Sequence, residues 1–120
     1  VDVDQVTFVY RDDEKLVGCS PDGMVGDDGL LEIKCPKLAT HVGYLLRGTL
    51  PKEYAPQVYG QMLVTGRDWC DFVSYHPASN VPMFRLRVEA DQEEFDKLET
   101  AIDATQEAID SMMMDLEAVA

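Results

Sequence analysis

The segment GCSPDGMVGDDGLLEIKCP, residues 18–36, places Asp22, Glu32 and Lys34 within a short stretch of chain. Asp22 follows a proline and precedes a glycine, a residue order that is typical of a tight turn. Further on, Glu32, Ile33 and Lys34 form an acid–apolar–lysine triplet in an otherwise apolar run. Because side chains alternate along a β-strand, Glu32 and Lys34 would share one face, roughly 7 Å apart at about 3.3 Å per residue.

Two charges on one face of a buried strand cost free energy unless they pair with each other or bind a metal. Asp22 lies at the start of a hairpin whose second strand holds Glu32, and the short VGDDG connection would bring residues near 22–25 beside residues near 31–34. Two carboxylates and a strand carbonyl are oxygen donors of the kind that Mg²⁺ or Mn²⁺ prefers. Lys34 would then position a water, help to deprotonate it or neutralise charge on a phosphate. The pattern predicts metal-assisted hydrolysis of a phosphodiester.

The same residues also allow a purely structural interpretation. Asp22 would then be only a turn residue, and Glu32 and Lys34 would be an exposed ion pair on an edge strand. An acid-x-lysine triplet occurs by chance in many proteins and carries almost no weight alone. The combination of a Pro-Asp-Gly turn, a glycine-rich hairpin and the run LLEIKCP is far less expected by chance, and it favours a metal-nuclease site.

Turn chemistry and hydrophobic periodicity predict the elements that position these residues. We expect a hairpin of strands at 6–10 and 16–19, a second hairpin around GDDG, helices at 38–48 and 53–65, and strands at 69–76 and 83–89 joined by a turn at 77–82. Pro56 lies close to the first turn of the second helix, so Ala55 is an alternative start. Mixed strands with helices that come late in the chain predict one sheet covered by helices.

The last segment predicts a long helix. Asp91 is a candidate N-terminal cap, with Glu94 three residues later in the manner of a capping box. Apolar residues follow at helical spacing, namely Phe95, Leu98, Ile102, Ile109, Met112, Met113 and Leu116. We interpret this stripe as core packing, with a subunit interface as the alternative.

Length, cysteine count and charge limit the classes of protein to which this chain can belong. The 120 residues fit one small domain, and no apolar run is long enough to span a membrane. Three cysteines without a CxxC pair predict reduced thiols, as in the cytosol, and neither a disulfide scaffold nor a zinc site. The net charge of −13 speaks against nucleic acid, but residues 31–87 carry seven basic and four acidic side chains between two acidic ends. That distribution permits a surface that faces phosphate.

The run SPDGMVGDDGLLEIKCP resembles the PD-(D/E)xK nuclease motif, and more closely the phage lambda exonuclease/YqaJ-like viral recombinase family. The later run YAPQVYGQMLVTGRDWCDFVSYHP is similar to that family's glutamine-bearing helix and its next core strand. The likeness extends over residues 6–110. It implies an α/β fold with a restriction-endonuclease-like core, in which a central mixed β-sheet is flanked by α-helices.

The resemblance implies roles for five residues. Asp22 and Glu32 would be the metal carboxylates, the backbone carbonyl of Ile33 a further metal ligand, and Lys34 the catalytic lysine. Gln57 matches the glutamine of the family's helix that supports the active site. Gln61 and Tyr59 match less closely. Gln57 and Gln61 lie one helical turn apart, which fits a polar layer behind the site, a DNA contact or an ordinary exposed face.

The resemblance further implies a Mg²⁺-dependent 5′→3′ exonuclease, with Mn²⁺ as a substitute, that acts on double-stranded DNA ends in phage recombination. Its partners would be a single-strand annealing protein and two further copies in a homotrimer, in the cytoplasm of a bacterial host. Residues 1–120 would be a single nuclease core without the family's N-terminal helical portion, which grips the 5′-phosphate. The alternatives are an endonuclease of the same fold and a non-catalytic module that binds DNA or protein.

Overall fold

The computed structural model describes residues 2–78 and 80–120. They form two compact units, one ending at Ala90 and the other running Asp91–Ala120. The first unit contains the strands β1 (Val3–Asp4), β2 (Val9–Tyr10), β3 (Gly18–Cys19), β4 (Gly23–Val25), β5 (Gly29–Lys34), β6 (Trp69–Ser74) and β7 (Phe84–Glu89). It also contains the helices α1 (Leu38–Arg47) and α2 (Ala55–Thr65), and a 3₁₀ helix at Lys52–Tyr54; the second unit is the helix α3 (Gln92–Val119).

The described strands form a five-stranded mixed sheet in the order β1-β4-β5-β6-β7, and β2 and β3 form a separate two-stranded sheet. β5 and β6 are parallel, whereas β4 pairs antiparallel with β5 and β7 antiparallel with β6. Two parallel strands need a crossover connection, and α1 and α2 form it. Because β5 is the central strand and α1 and α2 connect it to β6, these helices cover the side chains on one face of β5.

One face of the sheet carries the core. Leu30 on β5 and Phe72 on β6 are fully buried there. The ring of Tyr44 from α1 packs edge-on against Phe72, with 6.1 Å between centroids, and Phe84 from β7 lies 6.3 Å from Phe72. Met62 from α2 is also buried. Because these aromatic and aliphatic side chains pack helices onto strands, they fix α1 and α2 over β5 and β6.

Both crossover helices end where a glycine takes the left-handed conformation. Gly48 has φ 66° and closes α1, and Gly66 has φ 71° and closes α2. Their amides donate to the carbonyls of Tyr44 and Met62, which would otherwise lack a partner. The predicted helices are confirmed, and α2 begins at Ala55 because the 3₁₀ helix occupies the residues before it.

The β4–β5 hairpin is held in place by Arg67, which follows α2. Its Nη1 donates to the carbonyl of Gly26 at 2.7 Å and to that of Gly29 at 3.1 Å. The carbonyl of Asp28 accepts from the amide of Asp68 at 2.8 Å. The turn is therefore tied to the start of β6, and the two ends of the hairpin keep a fixed position.

The opposite face of the sheet carries a buried carboxylate that pairs with two largely exposed arginines. Asp71 on β6 accepts from Arg87 Nε at 2.8 Å and Arg87 Nη2 at 3.0 Å, and Arg85 Nη2 lies 3.2 Å from the same carboxylate. The guanidinium of Arg87 stacks on Trp69, 3.6 Å from the ring centroid. The hydrogen bonds from Arg87 lower the pKa of Asp71 below its usual value.

Several predicted boundaries were too wide. Of the strands expected at 6–10 and 16–19, only Val9–Tyr10 and Gly18–Cys19 pair, and β1 was not predicted. Each strand is short because its backbone hydrogen bonds end where it diverges from its partner strand. That divergence depends on tertiary contacts and cannot be predicted from the local sequence pattern. Ser79, within the turn predicted at 77–82, lies outside the described residues.

The predicted cap of α3 is confirmed, but its bonds differ from a capping box. Asp91 accepts from the amide of Glu93 at 3.0 Å, and the carboxylate of Glu94 pairs with Lys97 at 3.3 Å. The interpretation of the apolar stripe as core is wrong, since α3 has no buried residue in its described length. From Ile109 onwards the large apolar side chains of the stripe are exposed.

Among the described residues, no helix combines the length and the apolar character that a membrane crossing requires.

The Asp71 ion pair predicts a defined pH dependence of stability. Because the folded-state pKa lies below the ordinary 3.8, the stabilisation is present above that value and is lost as pH falls through the folded pKa. We expect Asp71→Asn to lower the Tm by several degrees at pH 7 and by much less near pH 3, in thermal unfolding followed by circular dichroism. Asp27→Asn, in the exposed β4–β5 turn, is the control. A deficit in Asp71→Asn that stays constant between these two pH values would contradict this account.

Candidate active site

Antiparallel register brings Asp22 opposite Glu32. Gly23 pairs with Leu31 in the β4–β5 ladder. Asp22 precedes Gly23 and Glu32 follows Leu31, so these two residues lie opposite each other at the end of the ladder. Directly opposed residues have Cα atoms about 4.5–5.5 Å apart. The Oδ2 atom of Asp22 accepts a hydrogen bond from the amide of Ile33 at 2.7 Å. The carboxylate of Asp22 is therefore fixed at the backbone of the triplet.

The carbonyl of Ile33 lies on the same edge of β5 as its amide, because both backbone groups of a strand residue point to one neighbour. That amide donates to Asp22, so the carbonyl also points towards the end of β4. The Ile33 side chain is on the other face of the sheet and is 44% exposed. The arrangement leaves the Ile33 oxygen available beside the carboxylate of Asp22.

Glu32 is a buried carboxylate with three donors. Only 3% of the residue is exposed. Its Oε1 accepts from Gln57 Nε2 at 2.9 Å and lies 3.0 Å from Lys34 Nζ, and its Oε2 accepts from Gln61 Nε2 at 2.8 Å. A buried charge is stable only with such partners. Of about four lone-pair positions on a carboxylate, three are used, which leaves one on Oε2 for a further ligand.

Lys34 is held on three sides. Its Nζ donates to Gln57 Oε1 at 2.9 Å, lies 3.0 Å from Glu32 Oε1 and lies 4.5 Å from the ring centroid of Tyr54. Lys34, Gln57 and Glu32 thus form a closed ring of two hydrogen bonds and one ion pair. Because the side chain of Lys34 is still 21% exposed, its ammonium group is positioned but can reach a substrate at the surface.

The sequence of α2 places both glutamines over β5. Gln57 and Gln61 are one helical turn apart and therefore project from the same side of the helix. Val58 and Met62, next to them in sequence, are fully buried and pack α2 onto the sheet. Gln57 lies at the exposed margin, whereas Gln61 is buried with 3% of its surface accessible. The packing of α2 fixes how both amides meet Glu32.

The structure brings the predicted site residues together. Glu32, Lys34 and Gln57 contact one another, and Asp22 joins them through the amide of Ile33. The interpretation of Glu32 and Lys34 as an exposed pair on an edge strand is wrong, because β5 is the central strand and Glu32 is buried.

Of two further contacts at the site, that of Gln61 is the polar layer which the sequence left open as one alternative, and that of Tyr54 was not assigned from the sequence. Gln61 contacts Glu32 from within the core, which excludes the exposed face and the DNA contact that its pattern left open. The ring of Tyr54 lies against the ammonium group of Lys34. The sequence signal for this contact was the spacing of Tyr54 and Gln57, because residues three apart on a helix are neighbours. The 3₁₀ helix at Tyr54 obscured that spacing.

The donor set fits a hard divalent cation. Asp22, Glu32 and the Ile33 carbonyl offer oxygen atoms only, and Mg²⁺ is held by one or two carboxylates together with substrate phosphates and water. Among residues 2–78 and 80–120 no group of three or more histidine, cysteine or acidic side chains is placed to bind a metal. Because two carboxylates and one carbonyl are all oxygen donors, the set matches Mg²⁺ better than zinc or iron.

Two thiols lie close enough to be affected by the site carboxylates. Burial and then the charge of Glu32 raise the pKa of Cys19. Burial, followed by the charges of Glu32, Asp71 and Asp22, raises the pKa of Cys70 to about 12. Cys19, Cys35 and Cys70 are free cysteines in this structure.

Residues 1–68 match the family model of the YqaJ-like viral recombinase domain. The chain belongs to this family. Among solved structures, an alkaline exonuclease (LHK-Exo) from Laribacter hongkongensis is similar over 98% of this chain and 61% of its own, at 36% identity and a TM-score of 0.89. The complex of LHK-Exo with dAMP gives 36% identity, the same coverage and a TM-score of 0.88.

A phage related exonuclease from Haemophilus somnus 129PT is similar at 14% identity over 97% of this chain and 64% of its own, with a TM-score of 0.74, which is a likeness of fold alone. No curated protein sequence shows a significant match. Membership of the YqaJ-like family and the likeness to LHK-Exo confirm the predicted restriction-endonuclease-like core. The chain spans 61% of the length of LHK-Exo.

The thiol environments predict an order of reactivity. In a time course with iodoacetamide followed by mass spectrometry, we expect the exposed Cys35 to be alkylated first and Cys19 more slowly, because only the thiolate reacts. Cys70 should react only in denaturant, since it is fully buried. Native alkylation of Cys70 at the rate of Cys35 would show that the core beneath the site is not packed as described.

Proposed function

We propose that this chain is the catalytic core of a metal-dependent deoxyribonuclease that hydrolyses phosphodiester bonds at double-stranded DNA ends. The single observation that carries the proposal is the ring formed by Glu32, Lys34 and Gln57 beside the Asp22–Ile33 hydrogen bond. The site combines a buried carboxylate, a positioned ammonium group and a second carboxylate at one end of a hairpin. Such groups can bind a hard cation and stabilise charge on a phosphate. The likeness to an alkaline exonuclease supports an exonuclease rather than an endonuclease.

Asp22, Glu32 and the Ile33 carbonyl would hold the cation, with Mg²⁺ as the expected ion and Mn²⁺ as its substitute. When bound, such an ion supplies Lewis acidity towards phosphate oxygens and lowers the pKa of nearby water. The open lone pair on Glu32 Oε2, the carboxylate of Asp22 and the carbonyl of Ile33 support this assignment, because all three are hard oxygen donors.

Lys34 would provide positive charge where the reacting phosphate gains negative charge, or orient the attacking water by donating a hydrogen bond to it. Its contacts with Glu32 and Gln57 hold the ammonium group before substrate arrives, so little rearrangement is needed in the transition state. Gln57 accepts from Lys34 with its carbonyl and donates to Glu32 with its amide group. We therefore assign Gln57 to the alignment of both.

The proposals for substrate and partners depend on features outside the active site. The basic balance of residues 31–87 supports contact with DNA phosphates, and LHK-Exo has been crystallised with dAMP. We propose digestion in the 5′→3′ direction during phage recombination in the cytoplasm of a bacterial host, with a single-strand annealing protein as partner. We also propose assembly as a homotrimer; the exposed apolar side chains of α3 support a subunit interface without specifying the number of copies.

The proposal is tested with linear DNA labelled at the 5′ or the 3′ end, with and without a 5′-phosphate, incubated with the protein and Mg²⁺. We expect nucleotides to be released from the 5′ end and closed circular DNA to remain intact. Nicking of the circle would indicate the endonuclease alternative. Binding of DNA without cleavage in either Mg²⁺ or Mn²⁺ would indicate the non-catalytic module.

Removal of the Lys34 ammonium group should abolish cleavage but leave the cation ligands in place. For Lys34→Ala we expect kcat to fall at least about a hundredfold, the usual effect of losing an electrostatic or acid–base group. Mn²⁺ affinity measured by calorimetry should change little. Lys37→Ala, an exposed lysine in the next loop, is the matched control. Full activity of Lys34→Ala would reject the catalytic role of Lys34.

Asp22→Asn should weaken the cation site directly, because one anionic ligand becomes neutral. Removing outer partners of a metal site commonly costs about 10–100-fold in affinity, so loss of a ligand charge should raise the Kd for Mn²⁺ at least about tenfold. Asp27→Asn in the same hairpin serves as the control, since its exposed side chain lies at the other end of β4. Equal Mn²⁺ affinity in the two variants would reduce Asp22 to a turn residue.

A further inference from the structure

Gln61 contacts the site from inside the protein. It is 3% exposed, and its Nε2 donates to Glu32 Oε2 at 2.8 Å. Unlike Gln57, it makes no hydrogen bond to Lys34 among the described contacts. Its amide group therefore acts on the carboxylate of Glu32 and not on the lysine.

The other end of this amide is an unusual feature of the core. Gln61 Oε1 is buried and has no hydrogen-bond partner among the described residues. The opposite orientation of the amide would direct Oε1 at Glu32 Oε2, and two acceptors would then face each other. The hydrogen bond to Glu32 thus decides the orientation, although it leaves a buried carbonyl oxygen unpaired at a cost in free energy.

We infer that Gln61 is a positioning residue that sets the rotation of the Glu32 carboxylate for cation binding. This inference rests on the proposed function. Both Gln57 and Lys34 contact Oε1, whereas Gln61 is the donor to Oε2 among the described contacts, so the two oxygens are held from different sides. The terminal torsion is broad for a glutamate, so a donor to the second oxygen narrows the rotation that contacts to Oε1 alone would allow. Gln61 supplies the contact, and the remaining lone pair of Oε2 then has a defined direction.

A positioning role has a different signature from a packing role. If Gln61 served the stability of the core, an apolar side chain of equal length would lower the Tm and leave cation affinity unchanged. If it positions Glu32, the same change relieves the unpaired Oε1 but loosens the carboxylate. The Tm without metal should then stay close to that of wild type, while the affinity for Mn²⁺ falls.

The test is Gln61→Met, which keeps the length of the side chain and removes both its donor and its acceptor. We expect the Kd for Mn²⁺ in calorimetry to rise about tenfold. The Mg²⁺ concentration needed for half-maximal cleavage should rise in parallel, with the KM for DNA unchanged. Met62→Leu, the neighbouring buried position on α2, is the matched control and should leave the Kd unchanged.

A double-mutant cycle separates action through Glu32 from action elsewhere. In a Glu32→Ala background, Gln61→Met should change Mn²⁺ affinity no further, because its contact is already gone. In the same background, thermal unfolding should show Gln61→Met to be stabilising, since both ends of the Gln61 amide are then unpaired.

Two results would overturn the Gln61 inference alone. One is wild-type Mn²⁺ affinity in Gln61→Met, and the other is loss of folding in that variant, which would make Gln61 a requirement of the core. A wild-type protein that neither binds Mn²⁺ nor cleaves DNA would instead overturn the proposed function together with this inference.

Discussion

The burial of one carboxylate, that of Glu32, is the constraint on which the rest of the site depends. A carboxylate in the middle of a sheet and beneath a helix loses its hydration and must regain it from protein donors. Three side chains meet this need, two from α2 and one from the same strand. Each donor is fixed by the same contact. The hydrogen bonds and the ion pair that stabilise the charge of Glu32 therefore also position Lys34, Gln57 and Gln61.

The topology of the sheet explains why the donors come from α2. Since β5 and β6 are parallel, the chain between them must cross over one face, and α2 is the last helix of that crossover. The inner face of β5 carries Leu30, Glu32 and Lys34, so α2 buries an apolar residue and covers two charged ones. Arg67, just after α2, ties the same crossover to the β4–β5 turn. The positions of Asp22 and of the glutamines are therefore mechanically linked.

Much of this arrangement could be predicted from the sequence because its signals are local. The Pro-Asp-Gly and Gly-Asp-Asp-Gly turns specify the hairpin, and the two-residue period of a strand then assigns Glu32 and Lys34 to one face. The caps and periodicity of α1 and α2 also depend on near neighbours. These signals were sufficient to predict that residues near 22–25 lie beside residues near 31–34, and the register of the structure then places Asp22 opposite Glu32.

The remainder depends on contacts between distant parts of the chain. The two-residue strand β1 exists only because β4 offers it a free edge. The contact of Gln61 with Glu32 spans 29 positions in sequence, and that of Tyr54 with Lys34 joins two separate elements. On α3, periodicity identified an apolar stripe correctly, but periodicity does not reveal what covers it, and the outer part of the stripe is exposed.

The most direct test of the central claim is a crystal structure of the protein with Mn²⁺, analysed by anomalous scattering. The account predicts a peak about 2.0–2.3 Å from oxygen atoms of Asp22 and Glu32 and from the Ile33 carbonyl, with the hydrogen bond from Gln61 to Glu32 retained. A peak at other residues, or a Glu32 carboxylate turned away from Asp22 with the ion bound, would contradict it.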